Sequence, residues 1–252
     1  MVYTQGVIKE KILLTSEVYS LWIFAPEISQ EAQPGQFVNI RVTGGYEPFL
    51  NRPISIADAG SNCIYTVIKI VGRGTEILYH RRIGDKIDLL GPLGKPVKIP
   101  QGRKALLVGG GVGIAPLYFL AKHLTGGNEL GAILAVRKKK DLILKKEYLK
   151  LTKDIHITTE DGSLGSKGTA VSTLRRLVRK ASYNIIYACG PRAMLTAIKQ
   201  LHLKIPVYAF VEDFLGCGCG ICLGCALKVN GEYRRICIDG PVFDLRRIQL
   251  GD

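Results

Sequence analysis

The sequence predicts an α+β chain in three units: a small antiparallel β-barrel over residues 1–98, a parallel α/β sheet over 99–211 and a short cysteine-rich unit over 212–252. Three observations carry this expectation. Short β-branched runs bounded by Pro and Gly fill the first third, strand and helix patterns alternate after Pro100, and four cysteines fall within nine positions after Asp213. At 252 residues the chain also exceeds the roughly 100 to 200 expected of one domain.

In the first unit VIKEKILL, VYSLWIF, QFVNIRV, CIYTVIKI and KIDLL read as strands. Turns such as Gln33-Pro34-Gly35 and Gly91-Pro92-Leu93-Gly94 separate them, a pattern that suits a small closed barrel. In the second unit ALLVGGGVGIAPLYFLAKHL is a buried strand, a glycine turn and an apolar helix. GAILAVR, IHITTED, YNIIYAC and VYAFVE follow as strands, with helical stretches TAVSTLRRLVRKA and RAMLTAIKQL between them. Such alternation is that of a parallel sheet with crossover helices, an architecture that binds nucleotides. The third unit is too short for a core of its own and is expected to need a metal centre to order it.

Composition narrows the function classes. Seven cysteines, four of them clustered, in a chain long enough to fold without staples point to metal or redox chemistry in a reducing compartment. No apolar run reaches the roughly 18 residues of a membrane span, and the N-terminus MVYTQGVIKE lacks the pattern of a signal peptide, so a soluble cytoplasmic protein is expected. The net charge of +14 raises nucleic-acid binding, but the basic residues are spread along the chain. The densest run, Arg137-Lys138-Lys139-Lys140, reads as a solvated face beside a helix start.

The cysteines admit two registers. Cys217, Cys222, Cys225 and Cys237 give C-x4-C-x2-C with a distant fourth, the plant-type spacing for a 2Fe-2S cluster. Cys219, Cys222 and Cys225 give C-x2-C-x2-C, the opening of a four-iron run, but no cysteine follows at the required distance. The first register is favoured. Gly216, Gly218, Gly220 and Gly224 let backbone N–H groups approach a cluster closely. Zinc competes for four thiolates, though its sites usually pair two short C-x2-C arms. Cys63 and Cys189 read as packing residues.

A cluster that passes single electrons needs other redox groups in the chain, and two glycine-rich turns are candidates. Val108 to Pro116 frees backbone N–H groups at a helix start for a pyrophosphate, although it is not G-x-G-x-x-G and is weak by itself. Arg52-Pro53-Ile54-Ser55 places an arginine and a hydroxyl on what is expected to be one side of an extended strand. With the Gly74-Thr75 turn nearby, it offers a second pyrophosphate clamp, against the blander reading of a surface strand.

The order RPIS, GRGT, GGGVGIAPL, ACGPRAML resembles the ferredoxin-NADP reductase superfamily of flavoproteins. The segments EDFLGCGCGICLGCALKV and ICIDGPVFDL narrow the resemblance to electron-transfer subunits of class 1B dihydroorotate dehydrogenases, over nearly the whole chain. The resemblance implies that Arg52, Pro53, Ile54 and Ser55 meet FAD, that Gly74 and Thr75 close its other side, and that Tyr65, Thr66, Val67 and Ile68 line the flavin. Gly110, Gly111, Val112 and Gly113 would receive NAD(H), with Cys189, Gly190 and Pro191 near the nicotinamide and Asp161-Gly162-Ser163 near the nucleotide.

It further implies an FMN-containing catalytic subunit that oxidises dihydroorotate in pyrimidine biosynthesis, in a heterotetramer of two of each chain. Electrons then run through the cluster and FAD to NAD. Two departures stand out: Cys219 occupies a position usually apolar in the family, and the Gly109-Gly110-Gly111 turn has a third glycine where many reductases have threonine. Related subunits of hydrogenases, sulfide dehydrogenases and transhydrogenases are the alternative within the class. A zinc-stabilised basic nucleic-acid-binding protein is the alternative outside it.

Overall fold

Alternating burial closes the first third of the chain into a barrel. In the computed structural model, which describes residues 1–45 and 47–250, β1 (Val2–Leu13), β2 (Val18–Phe24), β3 (Phe37–Ile40), β4 (Arg52–Gly60), β5 (Cys63–Lys69) and β6 (Lys86–Leu93) pair antiparallel in the order β1-β2-β5-β4-β3-β6. Ile8, Leu21, Ile23, Val38, Ile40, Ile56, Ile64, Ile68 and Leu89 fill the interior. The helix α1 (Pro26–Ser29) follows β2. Two local readings are corrected here. Gly91-Pro92-Leu93 is not a turn, because β6 runs through it, with Gly91 opposite Val2 and Leu93 opposite Phe37; a Cβ on Gly91 would lie 2.7 Å from Val38 Cγ1. The Gly-Thr turn opens a helix, α2 (Arg73–His80), in which Thr75 Oγ1 accepts the N–H groups of Val71 and Gly72 at 3.0 and 3.3 Å.

The middle of the chain forms the expected sheet. β7 (Lys104–Gly110), α3 (Ile114–Leu124), β8 (Glu129–Val136), α4 (Lys145–Leu149), β9 (Asp154–Thr159), β10 (Ser166–Lys167), α5 (Ala170–Leu177), β11 (Ile185–Cys189), α6 (Arg192–Lys199) and β12 (Val207–Phe210) follow in turn. The six strands are parallel in the order β10-β9-β8-β7-β11-β12. Their side chains alternate between two cores: Leu106, Val108, Ile186 and Ala188 face α5 and α6, whereas Ala105, Leu107, Tyr187 and Cys189 face α3 and α4. The second of these cores also takes in Ala57, Tyr65 and Val67 from the barrel, so barrel and sheet share buried surface. Across that seam Lys122 of α3 donates to both oxygens of the buried Asp58 carboxylate on β4, each at 2.7 Å.

The C-terminal segment supplies β13 (Ala226–Val229), β14 (Glu232–Arg235), α7 (Ile236–Asp239), β15 (Val242–Asp244) and β16 (Ile248–Gln249). Lacking the length for its own core, it borrows one. Leu227, Ile236, Phe243, Leu245 and Ile248 pack into the α5/α6 core together with Phe37 and Leu93 of the barrel. β15 also adds antiparallel to β12 as the seventh strand of the parallel sheet, Tyr208 opposite Asp244 and Phe210 opposite Val242.

Candidate redox site

The thiols come in two pairs. Cys225 and Cys237 are buried, with Sγ atoms 3.3 Å apart, and sit in the α5/α6 core. Cys217 and Cys222 lie nearer the surface, where the Cys222 N–H donates to Cys217 Sγ at 3.4 Å. The Gly224 N–H donates to Cys222 Sγ at 3.5 Å. Gly218 and Gly220 have φ of 74° and 86°, and a Cβ on Gly220 would run into the Ile238 side chain. Asn39 of β3 donates from Nδ2 to the Cys217 carbonyl at 3.0 Å, and Arg235 donates to the Gly220 carbonyl at 3.1 Å. The loop is thereby held from the barrel on one side and from β14 on the other.

Burial alone would push the Cys217 thiol up, but the N–H groups of Cys222, Cys219 and Ile221, with the Cys222 thiol, outweigh it and bring Cys217 down to about 6. Burial and the neighbouring Cys225 thiol push Cys237 up to about 12. Cys219 is also raised, first by burial and then by Cys217, and its side chain packs against the apolar core. Among the described residues no three His, Cys, Asp or Glu side chains converge on one point as ligands of a single ion. Two thiol pairs with N–H groups aimed at sulfur suit a group with two iron atoms, each taking two thiolates, better than one tetrahedral zinc.

The barrel places its motifs around one mouth. Arg52 begins β4 and its guanidinium lies against the backbone of Gly74, so closely that a Cβ there would overlap it; it also donates to the Leu50 carbonyl. The pleat separates Arg52 from Ser55. Residues three apart on a strand face opposite ways, and Ile54 and Ile56 face the barrel interior while Ala57 faces α3. The expectation of a shared side is therefore corrected. For the same reason β5 is divided: Tyr65 and Val67 pack toward α3, while Ile64 and Ile68 turn into the barrel, where Thr66 Oγ1 donates to the Leu21 carbonyl at 3.4 Å. Trp22, which sequence reasoning did not single out, packs on Tyr65 with ring centroids 4.8 Å apart. Its position opposite Tyr65 across β2 and β5 depends on strand pairing that no local pattern specifies.

At the carboxyl ends of β7 and β11 the two remaining motifs meet. Gly111 has φ of 57° and opens a short turn that leads into α3. A Cβ on Gly113 would lie 2.8 Å from Gly190 N, and one on Gly190 would lie 3.1 Å from Gly110 Cα, so the turns touch backbone to backbone. Pro191 and Met194 close on Gly110 from α6. Beside them a cavity of about 130 Å³ is lined by Gly190, Pro191, Arg192, Leu195, Val211, Glu212 and Leu250. Burial holds the Cys189 thiol well above its usual range, with the Glu212 carboxylate adding to it. Glu212, a second residue missed in sequence, is open to solvent on one side but has protein packed around the rest, and that desolvation raises its carboxyl. A larger hollow of about 300 Å³, between α6 and Leu245, holds none of the motif residues. In open parallel sheets ligands lie in the crevice at strand carboxyl ends, which is where the smaller cavity beside Gly190 and Pro191 lies.

Residues 212–249 match the iron-sulfur cluster binding domain of dihydroorotate dehydrogenase B, and residues 107–200 match the oxidoreductase NAD-binding domain. The "dihydroorotate dehydrogenase B (NAD(+)), electron transfer subunit" of Bacillus caldolyticus is 35% identical over 247 residues, covering 94% of this chain and 95% of that protein. The corresponding subunit of Geobacillus sp. (strain WCH70) is 37% identical over 246 residues, with the same coverage. Among solved structures, a chain of the NADH-dependent reduced ferredoxin-NADP oxidoreductase superposes with a TM-score of 0.91 at 33% identity, over 97% of this chain and 90% of that one. The ferredoxin reductase of carbazole 1,9a-dioxygenase shares the fold, with a TM-score of 0.70 at 20% identity over 82% of this chain and 68% of that one. The chain belongs to the family of dihydroorotate dehydrogenase B (NAD(+)) electron transfer subunits.

Proposed function

We propose that the chain passes electrons between an FMN-containing, dihydroorotate-oxidising catalytic subunit and NAD, with Cys217, Cys222, Cys225 and Cys237 holding a 2Fe-2S cluster. The observation that carries this is the pair of thiol pairs, one buried and one near the surface, on a loop hydrogen-bonded to the barrel through Asn39. Arg52, Pro53 and Ser55 on β4, Tyr65 and Val67 on β5, and Gly74 and Thr75 on α2 form the FAD site, while Ile54, Thr66 and Ile68, whose side chains turn into the barrel, offer it only their backbone. Gly110, Gly111, Val112 and Gly113, with Cys189, Gly190 and Pro191 opposite, receive NAD(H). When bound, these groups supply single-electron transfer at the cluster and hydride exchange between flavin and nicotinamide.

The chain's own residues bind and orient. Arg52 brings a fixed positive charge to the barrel mouth, the helix start beyond Gly113 offers N–H groups to a pyrophosphate, and the N–H groups around Cys217 favour the thiolate. Phe214 is 93% exposed, and Ile221 and Leu223 are exposed beside Cys222, which supports a partner docking over the outer thiol pair. The heterotetramer of two chains of each kind is carried over from the family resemblance. No helix among the described residues is long and apolar enough to cross a membrane.

The test is anaerobic purification with iron, sulfide, zinc and flavin analysis, then coexpression with a dihydroorotate-oxidising FMN subunit. Stoichiometric iron and flavin, with dihydroorotate-dependent NAD reduction by the pair, are expected. Full cofactor loading without that activity overturns the pyrimidine role. The TM-score of 0.91 favours one second reading, a subunit of a ferredoxin-NADP oxidoreductase assembly. Reduction of NAD by reduced ferredoxin, and not by dihydroorotate, would select it.

A further inference from the structure

We propose that the dinucleotide site accepts NADP(H) as well as NAD(H), with Arg137, Lys138, Lys139 and Lys140 forming a rim for the 2′-phosphate. The inference rests on the reading that a dinucleotide lies across the carboxyl ends of β7 and β11. If its nicotinamide lies over Cys189 on β11, the strand order places its adenosine on the other side of β7, over the ends of β8 and β9. Arg137 is the first residue beyond β8, and all four cations of the run are exposed there. In nucleotide-binding sheets a carboxylate near this position pairs with the ribose 2′-hydroxyl, whereas an arginine accommodates a 2′-phosphate.

The run is ordered through its backbone, leaving its charged ends free. Lys139 N–H donates to Ser163 Oγ at 2.8 Å, Lys138 N–H donates to Asp141 Oδ2 at 3.2 Å, and Asp161 N–H donates to the Arg137 carbonyl at 3.3 Å. None of the four side chains forms an ion pair among the described residues. The nearby carboxylates are partly engaged: Asp161 accepts Ser163 N–H at 3.0 Å and Ser163 O–H at 2.6 Å, and Asp141 accepts from Lys138. Glu160, exposed just past the end of β9, leaves one carboxylate for a ribose hydroxyl, which is why NAD(H) is retained. A guanidinium and three ammonium groups around one loop match a dianionic phosphate better than a hydroxyl.

Two measurements on the full-length, cofactor-loaded protein test this. By calorimetry, adenosine 2′,5′-bisphosphate should bind at least about tenfold more tightly than AMP, the scale of one charge-assisted hydrogen bond. In diaphorase assays NADPH should be oxidised with a kcat/KM within about tenfold of that for NADH, and the triple variant Arg137→Ala/Lys138→Ala/Lys139→Ala should lower the NADPH-to-NADH ratio at least about tenfold. Lys86→Ala, which removes one charge from the barrel, should leave that ratio in place. Equal binding of the two adenosine nucleotides by the wild-type protein, or a ratio untouched by the triple variant, overturns the inference. Loss of NADH oxidation by the fully loaded wild-type protein would instead overturn the nucleotide reading on which it rests.

Discussion

Asn39 on barrel strand β3 donates from Nδ2 to the backbone carbonyl of Cys217, 178 residues away, at 3.0 Å. The side chain is buried, and its Oδ1 has no hydrogen-bond partner among the described residues. One amide thus couples the proposed flavin domain to the cysteine loop.

Asn39→Ala is expected to leave the barrel folded while freeing the Cys217 carbonyl, at a cost of about 1–3 kcal/mol for a buried polar contact. Iron should be lost faster under a chelator than from the wild-type protein. Identical iron loss would show that the loop is held without Asn39.

Gly74→Ala separates helix stability from flavin binding. Gly74 is in the first turn of α2, where alanine favours the helix, yet the new methyl would overlap the Arg52 guanidinium. Flavin retained after desalting should fall, with apparent affinity weakened roughly tenfold, and Arg52→Ala should do at least as much. Undiminished flavin in a folded Arg52→Ala protein removes Arg52 from the site.

Cys217→Ser against Cys219→Ser distinguishes the two cysteine registers. Cys217 Sγ receives the Cys222 N–H and pairs with Cys222, whereas Cys219 packs on apolar side chains. Cys219→Ser should keep two irons and an unchanged spectrum, while Cys217→Ser should give a labile or spectrally altered cluster, because serine oxygen is the harder ligand. The reverse pattern refutes the plant-type register. The double variant guards against Cys219 replacing Cys217 as a ligand through movement of the glycine-rich loop.

Lys122→Ala leaves the Asp58 carboxylate buried at the barrel–sheet seam without its partner. A loss of about 1–3 kcal/mol in chemical denaturation is expected, below the 3–5 kcal/mol of fully buried pairs because the Lys122 side chain keeps 38% exposure. Adding Asp58→Ala should cost less than the sum of the single changes. Additive effects would show that the pair is not coupled.

Much of this was legible in the sequence because it is local. Strand and helix periodicities, the glycine turn after β7 and the spacing of Cys217, Cys222 and Cys225 each involve neighbours a few residues apart, where sterics and ligand geometry act directly. Partnership between distant segments has no such signature. That β15 would complete the parallel sheet, that Gly91-Pro92-Leu93 would continue a strand, and that Asn39 would reach Cys217 were decided by where apolar surface had to be covered. The opposite facing of Arg52 and Ser55 follows from the pleat alone, but which face meets the barrel interior and which meets α3 required the closed barrel. The short C-terminal segment shows the division most clearly: its cysteine pattern identifies the chemistry, while its order comes from Phe37, Leu93 and the α5/α6 core, because a segment of that size cannot bury enough surface against itself.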